Sequence, residues 1–329
     1  MTAIAPEYQT NERSTSEAER LAARCGHDVT RLDGRWKSLL KEMPKLSVIR
    51  CHTGNSAIVN NRVGPYRWVR FIMSAGQTWG PEVDLRLFMK NWSFGFAVDE
   101  RHNGETRRSF QFFDKYGSPI HKIFLLPESN FKAFYEILSK YRSANQRPLL
   151  PVERRRPRAE KPDGEVDIAA FQAKWRKMWD THQFFPLHRK FGLSRLQALR
   201  LGPPELVRPL PRHAGRELFE EGARQNVKFM TFSGNRGCLQ IHNGVARNFR
   251  YDGEFFFVRE NDFHLDIHEP SIAYAFEVKK PTLFGNVTSV ELFDAAGENV
   301  AVFYGERGRL ERERADWRGV LEQLSGLDE

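Results

Sequence analysis

One internal offset constrains this chain more than any other feature: shifted by 180 residues, 54–124 falls on 234–304 without a gap. Gly54-Asn55 lands on Gly234-Asn235, Gly64 on Gly244, Leu85 on Leu265, Phe96 on Phe276 and Val98 on Val278. Ser109-x-x-x-Phe113-Asp114-x-x-Gly117 lands on Ser289-x-x-x-Phe293-Asp294-x-x-Gly297. Apolar and turn positions matching together at one shift mean a tandem duplication, so the same unit must fold twice.

The repeated stretches alternate apolar and polar residues in short runs broken by Gly, Asn and Pro, the pattern of antiparallel strands and hairpins. Val83-Asp84-Leu85-Arg86-Leu87-Phe88 is one such strand. Helices are predicted before each sheet, over 17–24, 36–43, 168–187, 194–201 and 217–226. The fold class is therefore α+β, each half an antiparallel sheet packed with helices. A tail is expected over 1–20, the first repeat over 21–150, a linker over 151–166 and the second repeat over 167–329. The linker contains Glu153-Arg-Arg-Arg-Pro-Arg-Ala-Glu-Lys-Pro162, a solvated charged run between prolines.

Three cysteines without C-x-x-C spacing speak against a disulfide framework and a structural zinc site, and for a reducing, cytoplasmic setting. The N-terminal residues have no apolar core of a secretory signal, and no apolar run approaches the ~18–20 residues of a membrane span. A net charge of +9 favours an anionic partner without choosing one. A nucleic-acid partner is not expected, because the arginines gather in the linker and the terminal helix instead of interleaving with aromatics on one face. Phosphate-cradling, nucleophile-elbow and metalloprotease motifs are all missing from the sequence.

Phe171-x3-Trp175-x2-Met178-Trp179-x2-His182-x2-Phe185 reads as a helical stripe that puts His182 on an apolar face near the helix end, with Pro186 limiting the run. On periodicity alone this is a core histidine. Gly192 is a candidate C-cap, and Ser194-x-x-Gln197 reads as a capping box that places Arg195 in the next helix's first turn. His264 and His268, four apart on a strand, start roughly 13 Å from each other, too far to share an ion. His182 and His188, about 120° apart around a helix, are not a chelating pair.

The strings Asp84-Leu-Arg-Leu-Phe88, Trp175-Arg-Lys-Met-Trp-Asp-Thr-His-Gln-Phe-Phe185 and Ser233-Gly-Asn-Arg-Gly-Cys-Leu-Gln240 carry a resemblance, as do Lys279-Lys-Pro-Thr282, Thr288-Ser-Val-Glu-Leu-Phe293 and Tyr304-Gly-Glu-Arg307. Together and in this order they resemble the hemin-degrading and haem-transport proteins of bacterial haem-uptake operons, over about residues 30–320. The resemblance implies haem as ligand or substrate, His182 as the ligand to its iron, and Arg86 as a distal arginine brought in by the other half. It implies Phe88 and Phe185 as aromatic lining, and Arg195, Lys280, Tyr304 and Arg307 as contacts to haem or its propionates. Val302 and Leu196 depart from the family, where polar residues are found. Imidazole suits ferric haem iron, and propionates call for cations at the mouth of an apolar slot.

Two functions remain open on the sequence. One is oxidative opening of the haem ring to release iron, with Arg86 and His182 as the catalytic pair and a reductase supplying electrons. The other is a carrier that takes haem from an inner-membrane importer to a separate haem oxygenase.

Overall fold

The computed structural model describes residues 15–102, 104–155, 159–308 and 311–326. The first copy of the repeat opens with α1 (Glu17–Ala22), β1 (Val29–Arg31) and α2 (Trp36–Leu40). Eight strands follow: β2 (Val48–Gly54), β3 (Ile58–Pro65), β4 (Arg70–Ile72), β5 (Ala75–Thr78), β6 (Asp84–Phe88), β7 (Phe94–His102), β8 (Glu105–Phe113) and β9 (Pro119–Leu125). α3 (Phe131–Tyr141) closes the copy. Between the copies lie α4 (Ile168–Arg176), a 3-10 turn at Thr181–Gln183 and α5 (Phe184–Lys190). The second copy then runs α6 (Arg195–Arg200), β10 (Val207–Leu210) and α7 (Ala214–Arg224). Its strands are β11 (Phe229–Gly234), β12 (Cys238–Gly244), β13 (Phe249–Tyr251), β14 (Phe255–Arg259), β15 (Phe263–His268), β16 (Tyr274–Thr282), β17 (Gly285–Phe293) and β18 (Asn299–Gly305), followed by α8 (Ala315–Glu322).

These strands make two nine-stranded antiparallel sheets, and neither belongs to one half. The first sheet has the order β1-β7-β8-β9-β2-β3-β15-β14-β13 and the second β10-β16-β17-β18-β11-β12-β6-β5-β4. Each copy therefore lends a three-stranded meander to the sheet of the other. The joint is symmetric. Asn55 Nδ2 donates to the carbonyls of Gly234 (2.7 Å) and Val300 (2.8 Å), while Asn235 Nδ2 donates to those of Gly54 (2.9 Å) and Ile120 (2.8 Å). The matched Gly54-Asn55 and Gly234-Asn235 are thus the stitches across a pseudo-twofold axis. Nearby, Thr53, Asn60, His121, Ser233 and Gln240 form a buried polar chain in which every link is hydrogen-bonded. Burial pushes the His121 ring down to about 3, so it stays neutral.

The matched Asp-x-x-Gly motifs are turns. Gly117 and Gly297 sit at φ +74° and +75°, which only glycine adopts without strain, and Asp114 and Asp294 cap the turn with hydrogen bonds to backbone N–H groups. Ser16 and Glu19 form a capping box at the start of α1, so residues 17–20 are helical, while 1–14 lie outside the described residues.

The predicted helix over 168–187 is two helices. α4 ends at Arg176, and Asp180 starts a new turn as N-cap of a capping box with Gln183. Asp favours caps because its side chain competes for backbone N–H groups, and this ends the continuous stripe. Pro186 falls in the first turn of α5, where a proline is tolerated. The capping box expected at Ser194 is half made: Ser194 Oγ accepts from Gln197 N at 3.0 Å, but the Gln197 amide donates to Lys161 O and Asp163. Helix α3, after the first sheet, has no counterpart in the predicted set. Asn130 caps it, and Ala133, Phe134, Ile137 and Tyr141 are its buried face.

Candidate functional site

β6 carries Arg86 into the second-half sheet. Leu85 and Leu87, both 0% exposed, join the core of the first half, and alternation turns Asp84, Arg86 and Phe88 to the opposite face. Since β6 pairs with β12, Arg86 stands opposite Leu239 and Asp84 opposite Ile241. Cross-strand partners share a face, and the register runs on from Ile241 to Phe232, Val302, Glu291 and Phe276. Tyr304 lies two residues from Val302 and Lys280 four from Phe276, so Arg86, Phe88, Tyr304 and Lys280 occupy one face of one sheet. Arg86 is ion-paired with Asp84, and Phe88 is partly exposed.

The segment between the copies is laid against the far end of that face. Trp175 Nε1 donates to Lys279 O at 3.1 Å and Leu283 N donates to Trp179 O at 3.1 Å. Phe171, Trp175 and Phe184 are buried there. His182 is not on this buried side: its side chain is 89% exposed, in the 3-10 turn at the head of α5. Nδ1 is 2.7 Å from Asp180 Oδ1, and no hydrogen-bond partner of Nε2 lies among the described residues. Trp179 and Phe185, three residues to either side, are also exposed, and the Phe185 ring packs edge-to-face on His188. The core histidine of the segment is His188 instead. It is 5% exposed, and its Nδ1–H donates to Leu193 O at 3.0 Å.

Arg195 and Lys280 meet at a carboxylate that the sequence reading left out. Arg195 binds Glu291 through Nε (2.7 Å) and a terminal nitrogen (2.9 Å), and Lys280 Nζ reaches Glu291 (2.6 Å), Ser289 Oγ (2.9 Å) and Tyr304 Oη (3.2 Å). Burial would push the Glu291 carboxyl up, but Arg195 and Lys280 outweigh it and hold it well below the usual carboxylate range. Burial also opposes the Arg195 charge, and Glu291 more than compensates. Lys280 is 1% exposed. It is the floor of a cluster in which two cations share one carboxylate. Arg195 and Tyr304 are the members that reach partial exposure. Phe184 lies under both cations, its ring 5.3 Å from Lys280 Nζ and 5.6 Å from the Arg195 guanidinium. Arg307 follows β18 at intermediate exposure, its guanidinium 3.3 Å from Gly308 O. Val302 and Leu196 are both buried and apolar.

At the β4–β6 end the same face opens into a cleft of about 670 Å³, bounded by Trp68, Arg70, Gln77, Trp79 and Asp84. Burial raises the Asp84 carboxyl and Arg86 partly offsets it. Among the described residues no group of three or more His, Cys, Asp or Glu could hold a bare metal ion, and no helix is long and apolar enough to cross a membrane. The arrangement suits a flat apolar ligand with a metal for His182 and a carboxylate for the cationic cluster. Glu291 and Asp180 were both missed as site residues although they stand inside quoted strings. Asp180-x-x-Gln183 was readable as a capping pattern, whereas nothing local marks Glu291 as buried between two cations.

The family model described as the haemin-degrading HemS.ChuX domain matches the chain twice, over residues 14–141 and 192–324. The chain belongs to that family. Hemin transport protein HmuS of Yersinia pestis is 32% identical over 315 residues, covering 95% of this chain and 90% of that protein. Holo-PhuS, a heme-binding protein from Pseudomonas aeruginosa, superposes with a TM-score of 0.91 at 37% identity, over 95% of this chain and 91% of PhuS. ChuS, an Escherichia coli heme oxygenase, superposes at 0.85 with 31% identity, over 94% and 92%. The tandem repeat is thus two copies of the HemS.ChuX domain. Residues 142–191, with His182 and its turn, fall between the two matches.

Proposed function

We propose that this chain binds haem over the second-sheet face, with His182 Nε2 on the iron and Arg86 on the distal side, and opens the ring oxidatively to release iron. The observation that carries this is the strand exchange: β6 takes Arg86 out of its own half and into the sheet on which the His182 segment rests. Phe88, Trp179 and Phe185 offer apolar surface to the macrocycle, while Arg195, Tyr304 and Arg307 meet the propionates. A guanidinium donates hydrogen bonds without coordinating metal, so Arg86 can hold an oxygen ligand while His182 fixes the iron. Dioxygen and electrons from a reductase or small reductant complete the requirements. The setting is a cytoplasmic one, downstream of an inner-membrane haem importer.

The second reading is a carrier that delivers intact haem to a separate oxygenase, and it draws on relatives described both as transport proteins and as an oxygenase. One titration separates the two. The protein is saturated with hemin, then given ascorbate or a reductase under air. Loss of the Soret band with a biliverdin-like product supports the enzyme, and a persistent complex supports the carrier.

A further inference from the structure

We propose that Asp180 is the positioning residue of His182: its carboxylate accepts a hydrogen bond from Nδ1–H and so presents Nε2 as the only nitrogen the ring can offer to a metal. This rests on the reading of His182 as the iron ligand. One oxygen of Asp180 accepts both from the His182 backbone N–H and from the ring, each at 2.7 Å. Gln183 Oε1 in turn accepts from the backbone of Trp179 (2.9 Å) and Asp180 (3.3 Å), which fixes the turn beneath. An N-cap needs only the backbone bond, so the ring bond is an addition to the cap. It matters because an 89%-exposed imidazole has no packing to hold its tautomer or its direction. His188 supplies the contrast: its Nδ1 faces a neutral carbonyl and its Nε2 is buried without a partner. Of these two histidines in one segment, only His182 has a carboxylate behind it and an open nitrogen in front. A carboxylate on the far nitrogen of a metal-bound histidine sets the tautomer and raises the ligand's basicity, and its removal costs about 10–100-fold in metal affinity.

The test uses the full chain, with Asp180→Ser, which keeps an N-cap but cannot span to the ring, and Asp180→Asn, which keeps the geometry without the charge. Histidine 15N NMR of the ligand-free protein is expected to find His182 protonated on Nδ1, and to find the other tautomer dominant in Asp180→Ser. Resonance Raman of the ferrous hemin complexes is expected to place the iron–histidine stretch lower in both variants, with hemin affinity about tenfold or more lower in Asp180→Ser. A wild-type ring protonated on Nε2, or a stretch common to all three proteins, overturns the proposal. His182→Ala separates the two layers. If the stretch survives in His182→Ala, the ligand reading falls; if it is lost there yet unmoved by either Asp180 variant, the positioning role alone falls.

Discussion

The two sheets carry the same strands in the same order, yet the charges on their equivalent faces are opposite. Where the second face has Lys280 and Arg86, the first has Glu100 and Asp266 at the matching positions of β7 and β15, and Glu17 follows the Ser16 cap of α1 as Arg195 follows the Ser194 cap of α6. Tyr304 is matched by Phe124, Glu291 by Gln111 and Phe88 by His268. On the first face each acid is already paired: Glu17 with Lys122, Glu100 with Arg24, and Asp266 with Arg259. On the second face the cluster of Arg195, Lys280 and Glu291 keeps one cation in excess. Duplication supplied a scaffold with two equivalent platforms, and divergence of a handful of side chains gave them different charges.

The largest expected effect breaks the second face from beneath. Glu291→Gln leaves Arg195 and Lys280 without their buried partner, which costs about 3–5 kcal/mol in urea denaturation. Because the folded Glu291 pKa is depressed, this contribution is present at neutral pH and is lost progressively below about pH 4.3, the unfolded value. The wild type should lose that component on acidification and the variant should lack it. An unchanged stability in Glu291→Gln would mean that the cluster is not closed in solution. Next comes binding stoichiometry: one hemin per chain with a histidine-ligated spectrum, since on the first face Glu17, Glu100 and Asp266 already engage Lys122, Arg24 and Arg259. A second saturable, histidine-ligated equivalent on wild type would break the comparison. A smaller effect sharpens it: His188→Ala is expected to cost about 1–3 kcal/mol of stability through a lost buried hydrogen bond while leaving the hemin spectrum as it was. A changed axial ligand there would move the iron site from His182 to the core histidine.

The duplication, the fold class and the common face of Arg86 and Phe88 were legible because period-two alternation and turn chemistry are local. The strand exchange was not, since alternation tells which way a side chain points and says nothing about which sheet a strand joins. Arg86 reads the same in either sheet; only the pairing of β6 with β12 puts it on the second-half face. His182 was placed wrongly because a stripe of Phe171, Trp175, Met178 and His182 suits an unbroken helix, and the Asp180 cap that breaks it was passed over. Lys280 is buried because Glu291, eleven residues away on the paired strand, offsets its charge, and the sequence reading did not anticipate that burial. Such long-range compensation has no periodic signature.

That both halves build one site is tested most directly by comparing Arg86→Ala with Asp266→Ala, its equivalent on the other sheet, as ferric hemin complexes across pH. Arg86→Ala should shift the spin equilibrium and the pH at which the distal ligand ionises, by an amount on the order of the 1–3 kcal/mol of a charged hydrogen bond. Asp266→Ala should match wild type. If Arg86→Ala leaves the spectrum and its pH dependence unchanged, or if Asp266→Ala alters them equally, Arg86 is a surface cation and the exchanged strand contributes nothing to haem.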